Sequence, residues 1–260
     1  METIVPVSNG ELWADDSGGH GLPLILLHPG VGDSTIWDLV LPALTARHRV
    51  IRYDSRGYGR SPGPAAVYSL VEDLAEVLDH FELARAVLVG SSMGGATSIS
   101  LALHSPDRVA GLALFAPGAT GYDSAPPGFY EEVGKLATAD DIEGIVRLVL
   151  GIWGRAGGGT PEADPVAAAQ LRGVLPAWFS TVGHQRTDAP AFHRLGEIAA
   201  PALLALGELD EPEVVRCNEE MADRIPDCRL VRLAACDHYP TLREPETVVQ
   251  LIEQLYADAR

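Results

Sequence analysis

The sequence predicts an α/β protein with a mostly parallel sheet and helices packed on both of its faces. Between residues 22 and 115 short aliphatic runs alternate with segments of helical periodicity. Each such run ends in a loop rich in glycine, proline or aspartate. One of them, Val87–Val89, leads into Gly90-Ser91-Ser92-Met93-Gly94 and then an Ala/Ser/Leu-rich helix, so that a serine stands at a strand-to-helix turn. Alternation of this kind implies right-handed crossovers and a ligand site beyond the carboxyl ends of the strands.

In chain order, Thr3–Val7 and Glu11–Ala14 flank Ser8-Asn9-Gly10, a hairpin closed by an Asn-Gly turn. After a polar loop, the aliphatic Leu22–Leu27 reads as a buried central strand. The glycine-containing segment that follows becomes helical near Ser34 and runs to Ala46, with Pro42 bending or restarting it. Arg49–Tyr53 is the next strand, and the loop 54–63 is too rich in glycine and proline for regular structure. Leu70–Phe81 is amphipathic, with Glu72, Asp73, Glu76 and Asp79 assigned to its polar face. Ala86–Val89 is the central strand, Met93–His104 the helix after it, ended by Ser105-Pro106, and Val109–Phe115 a further strand.

Beyond Ala116 the pattern changes. Phe129–Ala137, Asp141–Trp153 and Val166–Val182 read as helices around a break at 154–165, with no strand-like run among them. The expectation is a helical insertion, residues 121–188, covering the active site as a lid; an ordinary run of outer helices is the alternative. Residues 1–120 and 189–260 then form one core domain. Strand Ala202–Leu206, helix Pro212–Ile225, strand Arg229–Leu233 and helix Glu246–Ala259 complete it. Candidates for the pocket wall are Trp37, Tyr122, Phe129, Tyr130, Trp153, Trp178, Phe179 and Tyr239.

Whole-chain properties exclude several function classes. A formal charge of -17 opposes binding to nucleic acid or an anionic membrane, both of which demand a basic surface. Cys217, Cys228 and Cys236 have neither metal-site spacing nor disulfide density and read as thiols of a reducing compartment. No secretory signal and no apolar run of bilayer length is visible, so the expected location is the cytoplasm. No metal ligand set and no G-x-x-x-x-G-K-S/T phosphate cradle occurs, so no cofactor is expected and the partner is a small-molecule substrate.

A serine hydroxyl is a weak nucleophile at neutral pH, so Ser92 needs a base. Among the eight histidines His238 fits, in a loop directly after the last strand. Asp210, beyond the preceding strand, fits as the carboxylate that holds the imidazole tautomer, giving the order Ser92, Asp210, His238. Glu208 and Glu211 read as solvated turn residues, and Asp237 is adjacent to His238 and so poorly directed to orient it. Asp123 is the alternative acid. His104, His184 and His193 read as surface or lid residues, Cys236 as a structural thiol, and Ser91 stands at the wrong position of the turn. The two N–H donors for an oxyanion are expected from Met93 and, in His28-Pro29-Gly30-Val31-Gly32, from Val31; Pro29 has no N–H.

These motifs, with Tyr53-Asp54-Ser55-Arg56-Gly57-Tyr58-Gly59-Arg60-Ser61, Gly207-Glu208-Leu209-Asp210 and Glu244-Pro245 downstream of His238, resemble the α/β-hydrolase superfamily over nearly the whole chain. The resemblance implies an eight-stranded, mostly parallel sheet. It is nearest to small, helically capped members: enol-lactone hydrolases, carboxylesterases, cofactor-free haloperoxidase-like enzymes and carbon–carbon bond hydrolases. Two departures stand out: Pro29 follows His28 where the family usually has glycine, and Cys236-Asp237 precede His238 in place of a small residue and glycine. Epoxide hydrolases and haloalkane dehalogenases use an aspartate nucleophile, which Ser92 argues against. The resemblance therefore implies hydrolysis of a carboxylic ester or lactone. Carbon–carbon cleavage of a β-diketone or vinylogous substrate, and a non-hydrolytic receptor or isomerase, are the alternatives.

Overall fold

A computed structural model describes all residues, Met1–Arg260. It contains one sheet of eight strands in the order β1-β2-β4-β3-β5-β6-β7-β8. Strands β1 (Glu2–Val7) and β2 (Gly10–Asp16) form the antiparallel hairpin, with Ser8 and Asn9 in the turn and Asn9 at φ 59°. Gly10 therefore begins β2, opposite Val7, where the Asn-Gly reading placed it in the turn. All pairings from β4 onward, among β3 (Leu24–Leu27), β4 (Val50–Tyr53), β5 (Ala86–Ser91), β6 (Val109–Phe115), β7 (Ala202–Gly207) and β8 (Cys228–Leu233), are parallel. The completely buried strands β3, β5, β6 and β7 are the aliphatic runs of the sequence, as a sheet covered on both faces requires.

The expected helix after Ser34 is divided. Ser34–Trp37 is a 3-10 turn, and α1 (Leu41–Thr45) restarts with Pro42 in its first turn, where a missing N–H costs nothing. Helix α2 (Leu70–His80) opens on a Ser69 side chain that accepts from the Val71 and Glu72 N–H groups. Its Asp73 is not on a polar face: it is buried and holds Arg56 through two bonds of 2.7 and 2.8 Å. Arg56 also donates to the Ser8 and Asn9 carbonyls, so this ion pair fastens the loop after β4 to the first hairpin. Burial raises the Asp73 pKa despite the opposing guanidinium. Helix α3 (Met93–His104) follows β5 directly.

Between β6 and β7 lie α4 (Phe129–Thr138), α5 (Ile142–Trp153) and α6 (Pro165–Ser180), with no named strand among them. Asp141 and Asp164 cap α5 and α6 by accepting from Gly144 and Ala167 N–H. The chain closes with α7 (Pro212–Arg224), the short α8 (Pro240–Arg243) and α9 (Pro245–Asp258). No helix is long and apolar enough to cross a membrane. All three cysteines are free, and burial pushes the Cys217 thiol up to about 12 and Cys228 up to about 11.

Candidate active site

Ser92 sits between β5 and α3 at φ 46°, ψ -108°, a conformation that L-residues avoid. Glycines make this turn possible. A Cβ on Gly90 would lie 2.7 Å from the Gly95 nitrogen, and one on Gly94 would lie 2.6 Å from the Leu27 carbonyl carbon. The strained residue is anchored through its backbone: its N–H donates to Phe115 O at 3.0 Å, and its carbonyl accepts from Ala96 and Gly118. Its hydroxyl makes no hydrogen bond to His238 in this structure.

Asp210 and His238 meet at the ends of neighbouring strands β7 and β8. His238 Nδ1 donates to Asp210 Oδ2 at 2.7 Å, and both residues are buried. The aspartate is fixed in turn, because its Oδ1 accepts from Glu211 N–H at 2.7 Å. Since an ionised carboxylate only accepts, this bond sets the tautomer and leaves Nε2 as the acceptor. Burial opposes the imidazolium, but the charge and hydrogen bond of Asp210, helped by Asp237, outweigh it and raise the His238 pKa above 6.5.

Asp237 does not touch the imidazole. Fully buried, it accepts from Ala156, Gly157 and Tyr239 N–H and pairs with Arg243, whose other partner is Asp164 at 2.6 Å. The His238 N–H donates to Trp153 O at 3.1 Å. Thus the loop bearing His238 is bound to the ends of α5 and α6. Asp123 makes no hydrogen bond to His238; its carboxylate accepts from Ala125 N–H at 3.1 Å. Glu208 is exposed, and Glu211 caps α7 through Glu213 N–H.

The loop after β3 is equally built. His28 Nδ1 meets Pro29 O at 2.8 Å, and its Nε2 accepts from Ser55 N–H at 3.0 Å. Gly30 O accepts from Trp178 Nε1 at 2.6 Å. Neither Gly30 nor Val31 donates its N–H to a protein group, while Met93 is the first residue of α3, where an N–H has no intrahelical partner. Of the aromatic pocket candidates, Phe129, Trp153 and Trp178 form one cluster, with Trp153 6.0 Å from the His238 ring. Tyr130 packs edge-on against Phe129 at 5.2 Å, and Trp37 and Tyr239 share the buried cluster of Phe129 and Trp153. Trp37 is in the core against Phe115, Tyr122 bonds Glu213 and packs on Phe192, and Tyr130 and Phe179 are exposed. Tyr239 is buried beneath Arg243 with an unpaired hydroxyl. The wide clefts of about 550 and 560 Å³ lie at the amino-terminal ends of the strands, beside Pro23 and Ala202, and include none of these residues. No group of three or more His, Cys, Asp or Glu side chains is arranged to hold a metal.

Residues 24–251 match the model of the alpha/beta hydrolase family. The chain belongs to that family and is a hydrolase. A Caulobacter segnis protein provisionally named carbamate hydrolase RutD is 30% identical over 250 residues, covering 88% of this chain and 91% of that one. A 2-hydroxymuconate semialdehyde hydrolase from a Pseudomonas species is 42% identical over 106 residues, 38% of this chain and 37% of its own. The solved structure of Est816, described as an N-acyl homoserine lactone degrading enzyme, superposes with a TM-score of 0.81 at 29% identity, covering 97% and 99% of the two chains.

Proposed function

We propose that this hydrolase cleaves a small carboxylic ester or lactone through an acyl-enzyme on Ser92. The observation that carries the reading is the buried 2.7 Å bond between Asp210 and His238, on the same rim of the sheet as a serine held at φ 46°. His238 Nε2 takes the Ser92 proton as the hydroxyl attacks the carbonyl carbon, and Asp210 stabilises the imidazolium that forms. The oxyanion of the tetrahedral intermediate receives the Met93 and Val31 N–H groups. His238 then protonates the departing alcohol, and water, activated the same way, releases the acid. Helices α4–α6, within residues 121–188, act as the cap, and Phe129, Trp153 and Trp178 supply an apolar wall for a small acyl group. The free thiols suit the cytoplasm. Support comes from two full-length relatives named for a carbamate and a lactone, both carbonyl substrates with a heteroatom leaving group.

The partial match to the semialdehyde hydrolase supports a second reading, carbon–carbon cleavage by the same triad. Both readings are tested by fluorophosphonate labelling followed by peptide mapping, with a turnover screen of esters, lactones and β-diketones. The expected result is a single label on Ser92, lost in Ser92→Ala, and turnover of esters or lactones. Turnover confined to β-diketones would favour the second reading, and an unlabelled folded protein would refute both.

A further inference from the structure

We infer that Trp178, on α6, is a positioning residue for the oxyanion hole, fixing the Gly30–Val31 peptide through its indole N–H; the inference rests on the acyl-transfer reading above. The Nε1–H of Trp178 donates to Gly30 O at 2.6 Å. That carbonyl belongs to the same peptide unit as the Val31 N–H. All peptides in the chain are trans, so the two groups point in opposite directions within one plane. Holding the carbonyl on the α6 side turns the Val31 N–H away from the cap and prevents the plane from rotating. Gly30 and Gly32 flank Val31, and their conformational freedom leaves the peptide plane only loosely held by the long 3.4 Å turn bond from Gly32 N–H to Pro29 O. Donation into the carbonyl also polarises the amide and strengthens its N–H as a donor.

Apart from Trp178, the restraints fall on the preceding carbonyl: Pro29 O meets His28 Nδ1 at 2.8 Å and accepts from Gly32 N–H at 3.4 Å, which closes the turn without bonding the Gly30–Val31 peptide itself. The peptide that the chemistry uses is held by an inserted helix. A second contact runs along the same helix: Gln170 Nε2 donates to Thr35 Oγ1 at 2.8 Å, and its Oε1 accepts from Asp33 N–H at 3.4 Å. Trp178 and Met93, the residue bearing the other donor, pack on the same cluster of Tyr58, Val174 and Ala177.

The test replaces Trp178 by phenylalanine and, for an isosteric removal of the N–H alone, by 3-benzothienylalanine through codon suppression. The readouts are kcat and KM for p-nitrophenyl butyrate and affinity for a trifluoromethyl ketone, which forms a tetrahedral adduct. The benzothienyl variant, which keeps the ring system, is expected to lose about ten- to thirtyfold in kcat with KM within about twofold, less than the hundred- to thousandfold of deleting a donor outright. The phenylalanine variant is expected to lose as much in kcat with a raised KM, because it also removes part of the acyl wall. Ketone affinity falls by the same factor. Unchanged kcat in the benzothienyl protein, or a loss carried by KM with ketone affinity retained, would overturn the inference and make Trp178 a packing residue. Wild-type protein that neither labels at Ser92 nor turns over the ester would instead remove the acyl-transfer reading, and the inference with it.

Discussion

Asp237→Asn probes the carboxylate that stands where the family usually has glycine. Both of its oxygens accept: Oδ1 takes Tyr239 N–H at 3.0 Å, Oδ2 takes Ala156 N–H at 2.9 Å, and Arg243 donates to both, with Nε at 3.1 and 3.2 Å. Asparagine keeps the shape but has one oxygen, so its amide must turn N–H toward donors on one side. Each buried donor left unpaired costs about 1–3 kcal/mol, and Arg243 loses one of its two carboxylate partners while staying largely buried. Breaking a buried pair in this way costs about 3–5 kcal/mol. At about 2–4 °C per kcal/mol for a chain of this size, the melting temperature should fall by about 6–20 °C in calorimetry. The double variant with Arg243→Leu should fall by less than the sum of the two single changes, because both act on the same ion pair. A melting temperature within about 2 °C of wild type, or strictly additive effects, would refute the view that this carboxylate binds the His238 loop to the ends of α5 and α6.

Asp210→Asn should reduce kcat by about 10³–10⁴-fold with little loss of folded structure, measured by ester turnover alongside circular dichroism; near-wild-type activity would transfer the role of acid to another residue. In wild type the acidic limb of kcat/KM should lie above the ordinary imidazole value of 6.5, since the base acts when neutral and its pKa is raised. The sign for stability is opposite: a raised folded pKa stabilises fully below the unfolded value, and that contribution is lost as pH rises through the folded one. A limb at or below 6.5 would contradict the Asp210 coupling. Gly94→Ala normally gains about 1 kcal/mol in a helix, but here the new Cβ meets the Leu27 backbone, which cannot yield. A net loss of about 1–3 kcal/mol in urea unfolding and slower fluorophosphonate labelling are expected; a more stable variant with unchanged labelling would contradict the steric account of the turn.

Much of the architecture was legible because it follows from local pattern. Met93–His104 and Val109–Phe115 have the bounds that periodicity and Ser105-Pro106 imply. Asp210 and His238 were readable as neighbours because loops after adjacent parallel strands open on one rim. The misreadings concern partners distant in sequence. Asp73 looks solvent-facing on any helical wheel, and only Arg56, arriving from another loop, explains its burial. Aromatic composition marks an apolar region without fixing side-chain direction: Tyr130 packs on Phe129 beside Trp153, whereas Tyr122 turns to Glu213 and Phe192. The departure at Asp237 was visible, but its meaning depends on Asp164 and Ala156, which no spacing rule connects to it.

Those distant partners converge on α6. Its capping residue Asp164 grips Arg243, which grips Asp237 beside His238, while Gln170 and Trp178 grip the loop carrying Val31. One helix thus bears on both the loop of the proposed base and the loop of the proposed oxyanion donor. A fully independent cap would leave each loop to find its own geometry, and the glycines around Val31 make that costly in entropy. On the proposed mechanism, ordering both loops against one strut would pre-organise base and donor together, where electrostatic stabilisation of an oxyanion gains most. The same coupling means that displacing α6 loosens both loops at once. In that mechanism, Asp164 and Gln170, which hold this helix to those loops, act on the reacting groups only through their placement.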